Sequence, residues 1–373
     1  MREQPTVAQC AGTSLRLSRF GPCRAARDLM LGLLLVIPFV TSCGGGGDLV
    51  VPAPLPCNAN SKVCYVAPFG SDSNSGADPS VPLATIRRAA QIALSDYTIV
   101  VAPGTYREPV TTAETGQAPK RLTFLAQGRV VLDLRNTGSG PGFSLANVDG
   151  VVIDGFTVWG ANDGGVVLKS GSDGAVIRNC VLVVNNGDGI RVQDSANVLV
   201  FNNLIYGNAG IGIRIGGTTA GSPSARLLHN TVYGNGGRGI EIGNSTKASP
   251  GALVLNNILQ QNGLAVPGQE NIKVTTQPPS QTGYRGDYNL VFPASYSPSG
   301  AQGIRGVHDI NRDAIFADAI TGDFRLNPAS PAIDAGNPLD DFVDLRRILR
   351  ARTTTGLVRD AGPLDLGYHF PVS

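Results

Sequence analysis

The sequence has little charge, and it has few histidines and cysteines. Charged residues make up 16% of its 373 positions, and it contains 3 His and 6 Cys. The histidines are far apart along the chain and form no zinc signature with the cysteines, so no metal site is predicted from them. In contrast, 48 Gly and 25 Pro are present. This composition favours many short strands and turns over helices.

The first 42 residues have the layout of an export signal. Arg16, Arg19, Arg24 and Arg27 precede the apolar segment 29–40, and small residues follow that segment up to Cys43. The apolar run is too short to cross a bilayer as a helix of the mature protein, but its length suits the apolar core of a signal peptide. We therefore expect residues 1–42 to be a signal peptide. The alternative is a retained N-terminal membrane anchor.

The four residues that end at Cys43, VTSC, resemble the lipobox of bacterial lipoproteins. This resemblance implies that Cys43 carries a lipid and that the protein is anchored at the outer membrane or cell surface of a Gram-negative bacterium, since the two residues after the cysteine are Gly44 and Gly45 and neither is Asp. Residues 43–60, which are rich in Gly and Pro, are then a flexible tether between the lipid and the folded domain.

The net charge of the mature chain limits the classes of partner that we expect. Without the signal peptide, 25 basic and 26 acidic residues remain, which gives a net charge near −1. No basic excess is left to attract phosphates, so we expect no nucleic-acid partner and no contact with membranes other than through the lipid.

Three cysteines remain after the lipidation site. The exported compartment permits disulfides, and the short spacing between Cys57 and Cys64 would close a small loop, so we expect these two to be bonded. Cys180 lies inside a repeat with no histidine near it in sequence, and we expect a packed thiol rather than a nucleophile.

The central part of the chain is repetitive. Five segments share one pattern: VVIDGFTV (151–158), AVIRNCVL (175–182), VLVFNNLI (198–205), RLLHNTVY (226–233) and ALVLNNIL (252–259). In this alignment one column is occupied by Gly155, Asn179, Asn202, Asn230 and Asn256, with steps of 24, 23, 28 and 26 residues.

A second set of segments follows within each repeat: GVVLK (165–169), GIRVQ (189–193), GIRIG (212–216), GIEIG (239–243) and NIKVT (271–275). Apolar residues alternate in them with a second column, in which each segment contributes one residue: Val167, Arg191, Arg214, Glu241 and Lys273. This alternation predicts strands with one buried and one solvent-facing side.

Short strands that repeat every 23 to 28 residues bury their apolar side only when coil stacks on coil. The fold class is therefore all-β, a parallel β-helix, and we expect it to be monomeric. Equivalent positions would lie about 4.8 Å apart along the stack, so the four Asn of the first column would form a structural hydrogen-bonded ladder.

The ends of a solenoid need covers, because open strand edges invite pairing with other chains. Residues 61–110 are assigned to an N-terminal cap and first coil, with a short amphipathic helix within 82–94. The repeats take up 111–290, and the aperiodic residues 291–373 form an irregular C-terminal cap.

Several motifs carry a family resemblance. YVAPFGSDSNSGADPSVPLATIRRAA (65–90) and VVAPGTYRE (100–108), together with GDFRLNPASPAIDAG (322–336) and DLGYHF (365–370), resemble the opening and the tail of pectate-lyase-like right-handed parallel β-helix proteins of bacterial surfaces. That superfamily contains polysaccharide lyases, glycosidases, epimerases and adhesins, so the fold alone does not select an activity.

For the lyases of this superfamily, the resemblance implies acidic clusters that hold calcium and a Lys or Arg that abstracts the proton beside a uronate carboxylate. The sequence offers cations but no clear calcium cluster, so no cofactor is assigned, and Ca²⁺ is the one metal that the resemblance suggests. A glycosidase needs two carboxylates across the sugar, and Glu241 has no acidic neighbour in its aligned column.

Arg191 and Arg214 are adjacent in the second column, and this is the strongest indication of a binding site in the sequence. Like charges side by side destabilise a sheet unless an opposite charge compensates them. Either an acidic polysaccharide compensates them, or Glu241 and Lys273 extend the row into a solvated charge ladder. The candidate ligand-binding residues are Lys169, Asp188, Arg191, Arg214, Arg238, Glu241 and Lys273.

No catalytic residue can be named from the sequence. The function expected is recognition of an extracellular, acidic polysaccharide by a surface lipoprotein. The alternatives are a lyase-type enzyme, with a glycoside hydrolase less favoured, and a non-catalytic adhesin or structural surface protein.

Overall fold

A computed structural model of the chain describes residues 57–112, 121–138, 140–244, 247–263, 269–274, 283–298, 304–338, 345, 349, 351–356 and 359–370. All of them belong to one compact unit, Ala53–Ser373. The signal peptide, the lipidation site Cys43 and the tether up to residue 56 lie outside the described residues. Among the described residues no helix is long and apolar enough to cross a membrane.

One helix and 25 strands are described. In chain order they are β1 (Val63–Val66), α1 (Ile86–Ile92), β2 (Tyr97–Val101), β3 (Gly104–Tyr106), β4 (Val110–Thr111), β5 (Leu122–Asp133), β6 (Phe143–Leu145), β7 (Val152–Trp159), β8 (Gly164–Leu168), β9 (Val176–Arg178), β10 (Val181–Val183), β11 (Asp188–Gln193), β12 (Leu199–Phe201), β13 (Leu204–Tyr206), β14 (Ile213–Gly216), β15 (Arg226–Leu228), β16 (Thr231–Tyr233), β17 (Ile240–Ile242), β18 (Leu253–Leu255), β19 (Ile258–Gln260), β20 (Ile272–Val274), β21 (Arg285–Asp287), β22 (Leu290–Phe292), β23 (Tyr296–Ser297), β24 (Phe316–Asp318) and β25 (Asp323–Leu326).

The strands build a right-handed parallel β-helix with three faces, which confirms the predicted fold class. Face 1 contains β1, β2, the first parts of β5 and β7, and then β9, β12, β15, β18 and β21. Face 2 contains β3, the second parts of β5 and β7, and then β10, β13, β16, β19 and β22. Face 3 contains β4, β6, β8, β11, β14, β17, β20 and β23.

Strands β5 and β7 are long because each bends from face 1 into face 2 without an interruption. Their pairing shifts register between Leu125 and Val130, and Gly155 of β7 has a φ of +85° at the bend. Glycine suits this position because it has no Cβ to clash in the left-handed region.

The core lies inside the three faces and follows the alternation of the strands. Ile190 and Val192 are fully buried, whereas Arg191 between them faces outward and is half-buried. In the N-terminal coils Phe124, Phe143 and Phe156 stack edge to face, with ring centroids 5.5 and 5.2 Å apart. Burial of these side chains on every coil stabilises the stack as a whole, because no coil has a core of its own.

Two ladders of buried asparagine side chains run along the corners of the solenoid. In each ladder the amide nitrogen of one Asn donates to the side-chain oxygen of the next at 2.8 to 3.0 Å. The ladder between faces 1 and 2 consists of Asn203, Asn230, Asn257 and Asn289, and the ladder between faces 2 and 3 consists of Asn185, Asn208, Asn235, Asn262 and Asn271.

The column of Gly155, Asn179, Asn202 and Asn256 is a neighbouring one, and its members have positive φ angles. His229 occupies this column in place of Asn230, because β12 pairs with β15 in a register one residue from the sequence alignment. Asn230 belongs instead to the buried ladder between faces 1 and 2. The sequence alignment was wrong by one residue here because these coils carry two adjacent polar residues at the corner. Asn230 can be aligned with either Asn202 or Asn203, and the sequence alone does not decide between them.

The N-terminal end is closed by α1 and by a disulfide between Cys57 and Cys64. The helix begins after Thr85, whose hydroxyl accepts from the Arg88 backbone N–H at 3.1 Å. The Glu108 carboxylate accepts from the Ile86 N–H at 2.7 Å, so two side chains satisfy amide groups that the first turn leaves open.

The C-terminal region folds back along the outside of the solenoid. Strands β24 and β25 form an antiparallel hairpin, and the segment 366–370 crosses the corner between faces 1 and 2. Asn202 exchanges two hydrogen bonds with the backbone of His369 at 2.6 and 2.9 Å, and Asn256 does the same with Asn337 at 2.8 and 3.0 Å. These Asn therefore hold the C-terminal cap as well as the coil.

Candidate functional site

The charged stripe that the sequence predicts is present on face 3. The strand register places Val167, Arg191, Arg214, Glu241 and Lys273 in one row, one residue per coil. Lys169 is exposed just beyond the end of β8. Val167 faces the same side but is buried, and Glu241 is also buried.

The two stripe arginines are compensated by a carboxylate of the chain itself. Asp188 is 2% exposed, and its Oδ2 lies 2.8 Å from Arg191 Nε and 3.0 Å from Arg214 Nε. Asp163 adds a second carboxylate, 3.2 Å from Arg191 Nη2. Burial would lower the pKa of Arg191, but the hydrogen bond and the charge of Asp188 outweigh it and raise that pKa. The sequence had pointed to Glu241 or a ligand for this role.

The later part of the stripe is balanced in the same way. Arg238 Nε lies 3.1 Å from a Glu270 oxygen, and Lys273 Nζ lies 3.9 Å from Glu241. Arg238 also lies 3.9 Å from Glu241. Two depressions of about 260 and 350 Å³ flank Arg214 and Glu241. Most of the charged side chains described on face 3 are therefore paired with other side chains of the same protein, as in a charge ladder.

A larger groove lies on the N-terminal half of face 2. It has a volume of about 800 Å³ and runs across β3, β5, β7, β10 and β13 to the tip of the β24–β25 hairpin. Its lining consists of Gly104, Thr105, Arg107, Arg129, Val131, Asp133, Arg135, Thr157, Trp159, Val181, Val183, Val184, Tyr206, Ile320, Thr321 and Gly322. Neither the repeat alignment nor the stripe pointed to this surface.

Three arginines and one carboxylate give the groove its charge. Arg135 donates to both oxygens of Asp133, at 2.9 and 3.0 Å, and this interaction lowers the pKa of Asp133. Arg107 has a 70% exposed side chain and approaches Asp133 only to 4.0 Å. Arg129 is exposed and has no ion pair within the part of the chain that the structure describes. The groove therefore has an excess of positive charge.

Aromatic side chains supply the floor and one end. The guanidinium carbon of Arg135 lies 3.5 Å from the centroid of the Trp159 ring, and Trp159 is half-buried. Strand register places Trp159, Val183 and Tyr206 in one outward row along the solenoid axis. A concave site with an aromatic floor and a few converging polar groups is the usual form of a ligand site.

The sequence missed this groove because its charged residues precede the repeats that can be aligned. Arg107 lies just after β3, Arg129 on the bend of β5 and Arg135 just after β5, and these positions have no counterpart in the aligned segments. The one available signal was Trp159, the only tryptophan of the chain, which stands at an outward position of a repeat strand.

An acidic cluster of Asp334, Asp360 and Asp365 lies in the C-terminal cap. The carboxylates of Asp360 and Asp365 are hydrogen-bonded inside the chain. Asp365 accepts from the Asp334 N–H and the Thr353 hydroxyl, and Asp360 accepts from the Asp365 N–H at 3.0 Å and faces His369 Nε2 at 3.1 Å. The cluster is explained as part of the cap fold. The groove offers a single carboxylate among its described residues, whereas calcium takes 6 to 8 oxygen ligands, so these residues do not fit a calcium site.

Residues 132–277 match the family model described as a right handed beta helix region, in agreement with the observed fold. No curated protein sequence matches the chain. The expected resemblance to pectate-lyase-like β-helices is confirmed as a resemblance of fold.

Several solved structures have a similar fold, and among them are a pectate lyase, an alginate lyase and an alginate epimerase. Pectate lyase Pel9A is 18% identical, with a TM-score of 0.44 over 82% of this chain and 96% of its own. An alginate lyase from Paenibacillus sp. str. FPU-7 is 16% identical, with a TM-score of 0.41 over 66% and 99%. The periplasmic alginate epimerase AlgG is 20% identical, with a TM-score of 0.33 over 45% and 42%. At these identities the likeness concerns the fold, and the activity has to be argued from the residues of this chain.

Proposed function

We propose that the protein recognises an acidic polysaccharide and that the groove on face 2 is its binding site. The observation that carries the proposal is the charge of the groove, in which Arg107, Arg129 and Arg135 face one carboxylate, Asp133, beside the ring of Trp159. Guanidinium groups such as those of the exposed Arg107 and Arg129 bind carboxylates through two parallel hydrogen bonds.

The comparison of the two faces favours the groove over the stripe. On face 3 each of Arg191, Arg214 and Arg238 lies within about 3 Å of a chain carboxylate, so a ligand carboxylate would have to displace an existing partner. On face 2 Arg107 and Arg129 are exposed and are not held in this way. The binding residues expected from the sequence are thus better explained as structural, and the polysaccharide is assigned to the larger groove.

The groove residues also favour recognition of a polysaccharide over its hydrolysis. A glycosidase places two carboxyl groups about 5 to 9.5 Å apart across the scissile bond. Among the described groove residues Asp133 is the one carboxylate, and it is paired with Arg135. We assign no catalytic residue.

The proposal is tested by measuring binding of the protein to polygalacturonate, to alginate and to a neutral polymer such as dextran. The expected result is binding to the uronate polymers alone, with an affinity that falls as salt is raised, because exposed charges are screened over about 8 to 10 Å at moderate ionic strength. Arg129→Ala should weaken binding, and Arg285→Ala, which removes an exposed arginine from face 1, should not. Equal binding to dextran would refute the proposal.

We further propose that the protein is held at the outer membrane by a lipid on Cys43. The lipobox-like sequence and the Gly- and Pro-rich segment after it support this location. Cys43→Ala should release the protein from the membrane fraction. Mass spectrometry of the native N terminus that shows an unmodified residue elsewhere would overturn this proposal.

A further inference from the structure

The β24–β25 hairpin packs on the outward side of face 2, just beyond the groove. The ring of Phe324 lies 4.7 Å from Tyr206 and 5.2 Å from Tyr233 between centroids, and Phe316 lies 5.8 Å from Tyr233. Phe324 is buried by these contacts. The hairpin therefore covers β13 and β16, which would otherwise continue the row of outward side chains that begins at Trp159.

The covered part of face 2 extends past the hairpin strands. Gln260 on β19 is 3% exposed, and its side chain accepts from the Ala314 N–H at 2.8 Å and donates to Asp313 at 3.1 Å. On the open part of the same face, Arg107 and Arg129 are exposed and Val183 is half-buried. Face 2 is thus divided at Tyr206 into an open N-terminal half and a covered C-terminal half.

The tip of the hairpin stands at this division. Ile320 is 97% exposed and Thr321 is also exposed, and both line the groove together with Gly322. Gly322 has a φ of +89°, and a Cβ at this position would lie 3.2 Å from the Tyr206 hydroxyl. The tip therefore fits closely against the last strand of the groove.

We propose that the hairpin tip closes the groove at Tyr206, so that the site accepts the end of a polysaccharide chain and excludes internal segments. This proposal rests on the proposed function of the groove. The open stretch from β3 to β13 spans four strand-to-strand steps, about 19 Å at the spacing of neighbouring strands. A polymer chain that enters along this stretch meets Ile320 and Thr321 and cannot pass along face 2.

The test is the number of protein molecules bound per polymer chain, measured by analytical ultracentrifugation with size-fractionated polygalacturonate. A site for chain ends binds the same number of proteins per chain in every fraction. A site for internal segments binds more proteins as the chains become longer. The first result is expected for the unaltered protein, and the second would overturn the inference.

A variant with a shortened tip makes the test specific to the hairpin. Replacing residues 319–322 by an Asn-Gly turn keeps the two strands paired while removing Ile320 and Thr321. Its melting temperature shows whether the domain is still folded. For the folded variant we expect the number of bound proteins per chain to rise with polymer length. A number that stays constant would show that the tip does not close the groove and would overturn the inference.

Failure of this inference is distinguishable from failure of the proposed function. If the unaltered protein binds no uronate polymer at all, the groove has no such ligand and both proposals are refuted. If binding is lost with Arg129→Ala and retained with Arg285→Ala, but increases with polymer length in the unaltered protein, the groove binds the polysaccharide and only the preference for chain ends is refuted.

Discussion

Arg135 lies over Trp159, with its guanidinium carbon 3.5 Å from the ring centroid, and it donates two hydrogen bonds to Asp133. The cation is thereby held at one place in the groove before any ligand arrives. A ligand carboxylate that binds Arg135 would have to displace Asp133, so Arg107 and Arg129 are the groove arginines that are open to a ligand.

Asp133→Asn is expected to strengthen uronate binding. It removes the one negative charge among the described groove residues and takes from Arg135 the carboxylate that competes with a ligand for its guanidinium group. The affinity for polygalacturonate measures this, with Asp96→Asn as a control that removes a surface carboxylate outside the groove. Weaker binding by the Asp133 variant would show that a ligand needs Arg135 in the orientation that Asp133 gives it, and would contradict this expectation.

Asp188→Asn is expected to destabilise the domain by about 1.5 to 3 kcal/mol, the usual range for hydrogen bonds to charged groups. Asn keeps the shape and the acceptor for the Ile211 N–H, but Arg191 and Arg214 then face each other without a buried negative charge. The free energy of unfolding in urea measures the effect. Asp163→Asn, at an exposed carboxylate of the same stripe, should change it by less than about 1 kcal/mol. Equal effects of the two changes would contradict the role given to Asp188.

Asn202→Leu is expected to loosen the C-terminal cap as well as the coil. Its amide is bonded to Asn179 and to both backbone groups of His369, and each buried polar group left without a partner costs about 1 to 3 kcal/mol. A lower melting temperature together with faster proteolysis near residue 369 is the expected result. Asn186→Leu, at an exposed position, serves as the control. Unchanged proteolysis of the Asn202 variant would contradict the conclusion that Asn202 holds the C-terminal cap.

His229 makes the stability of the domain depend on pH. The ring is buried, and burial, followed by the nearby His369, lowers its pKa well below 6.5, so it is neutral when folded and protonates more readily when unfolded. The unfolded state then binds more protons below about pH 6.5, and the stability falls as the pH is lowered from there. Asn fits the left-handed φ of this column, so His229→Asn should fold and should lose less stability on acidification than the unaltered protein. Parallel pH profiles for the two proteins would contradict this.

The sequence was sufficient to predict the parts of the structure that follow from local periodicity. The row from Val167 to Lys273 has the register that the alternation of apolar and polar residues gives, because stacked parallel strands leave little freedom to slip. The column of Asn230 was displaced by one residue, since periodicity cannot distinguish two adjacent polar residues at a corner.

The parts of the structure that depend on contacts between residues distant in sequence could not be predicted. Asp188 is a strand residue whose carboxylate reaches two coils, and its role depends on the positions of both arginines. The groove needs residues of β3, β5 and β7 together with a hairpin that returns from residues 316–326 to pack on Tyr206. No spacing in the sequence relates Phe324 to Tyr206.

Because Trp159 is the only tryptophan of the chain, its fluorescence reports on the groove directly. The most direct test is a titration of the protein with polygalacturonate oligosaccharides while this fluorescence is recorded beside the heat of binding. We predict a saturable fluorescence change that follows the heat and is lost in the Arg107→Ala, Arg129→Ala variant. It should persist in the Arg285→Ala, Arg305→Ala variant, which removes two exposed arginines that do not line the groove. Binding heat without a change at Trp159, or binding that survives loss of both groove arginines, would contradict the assignment of the polysaccharide to face 2.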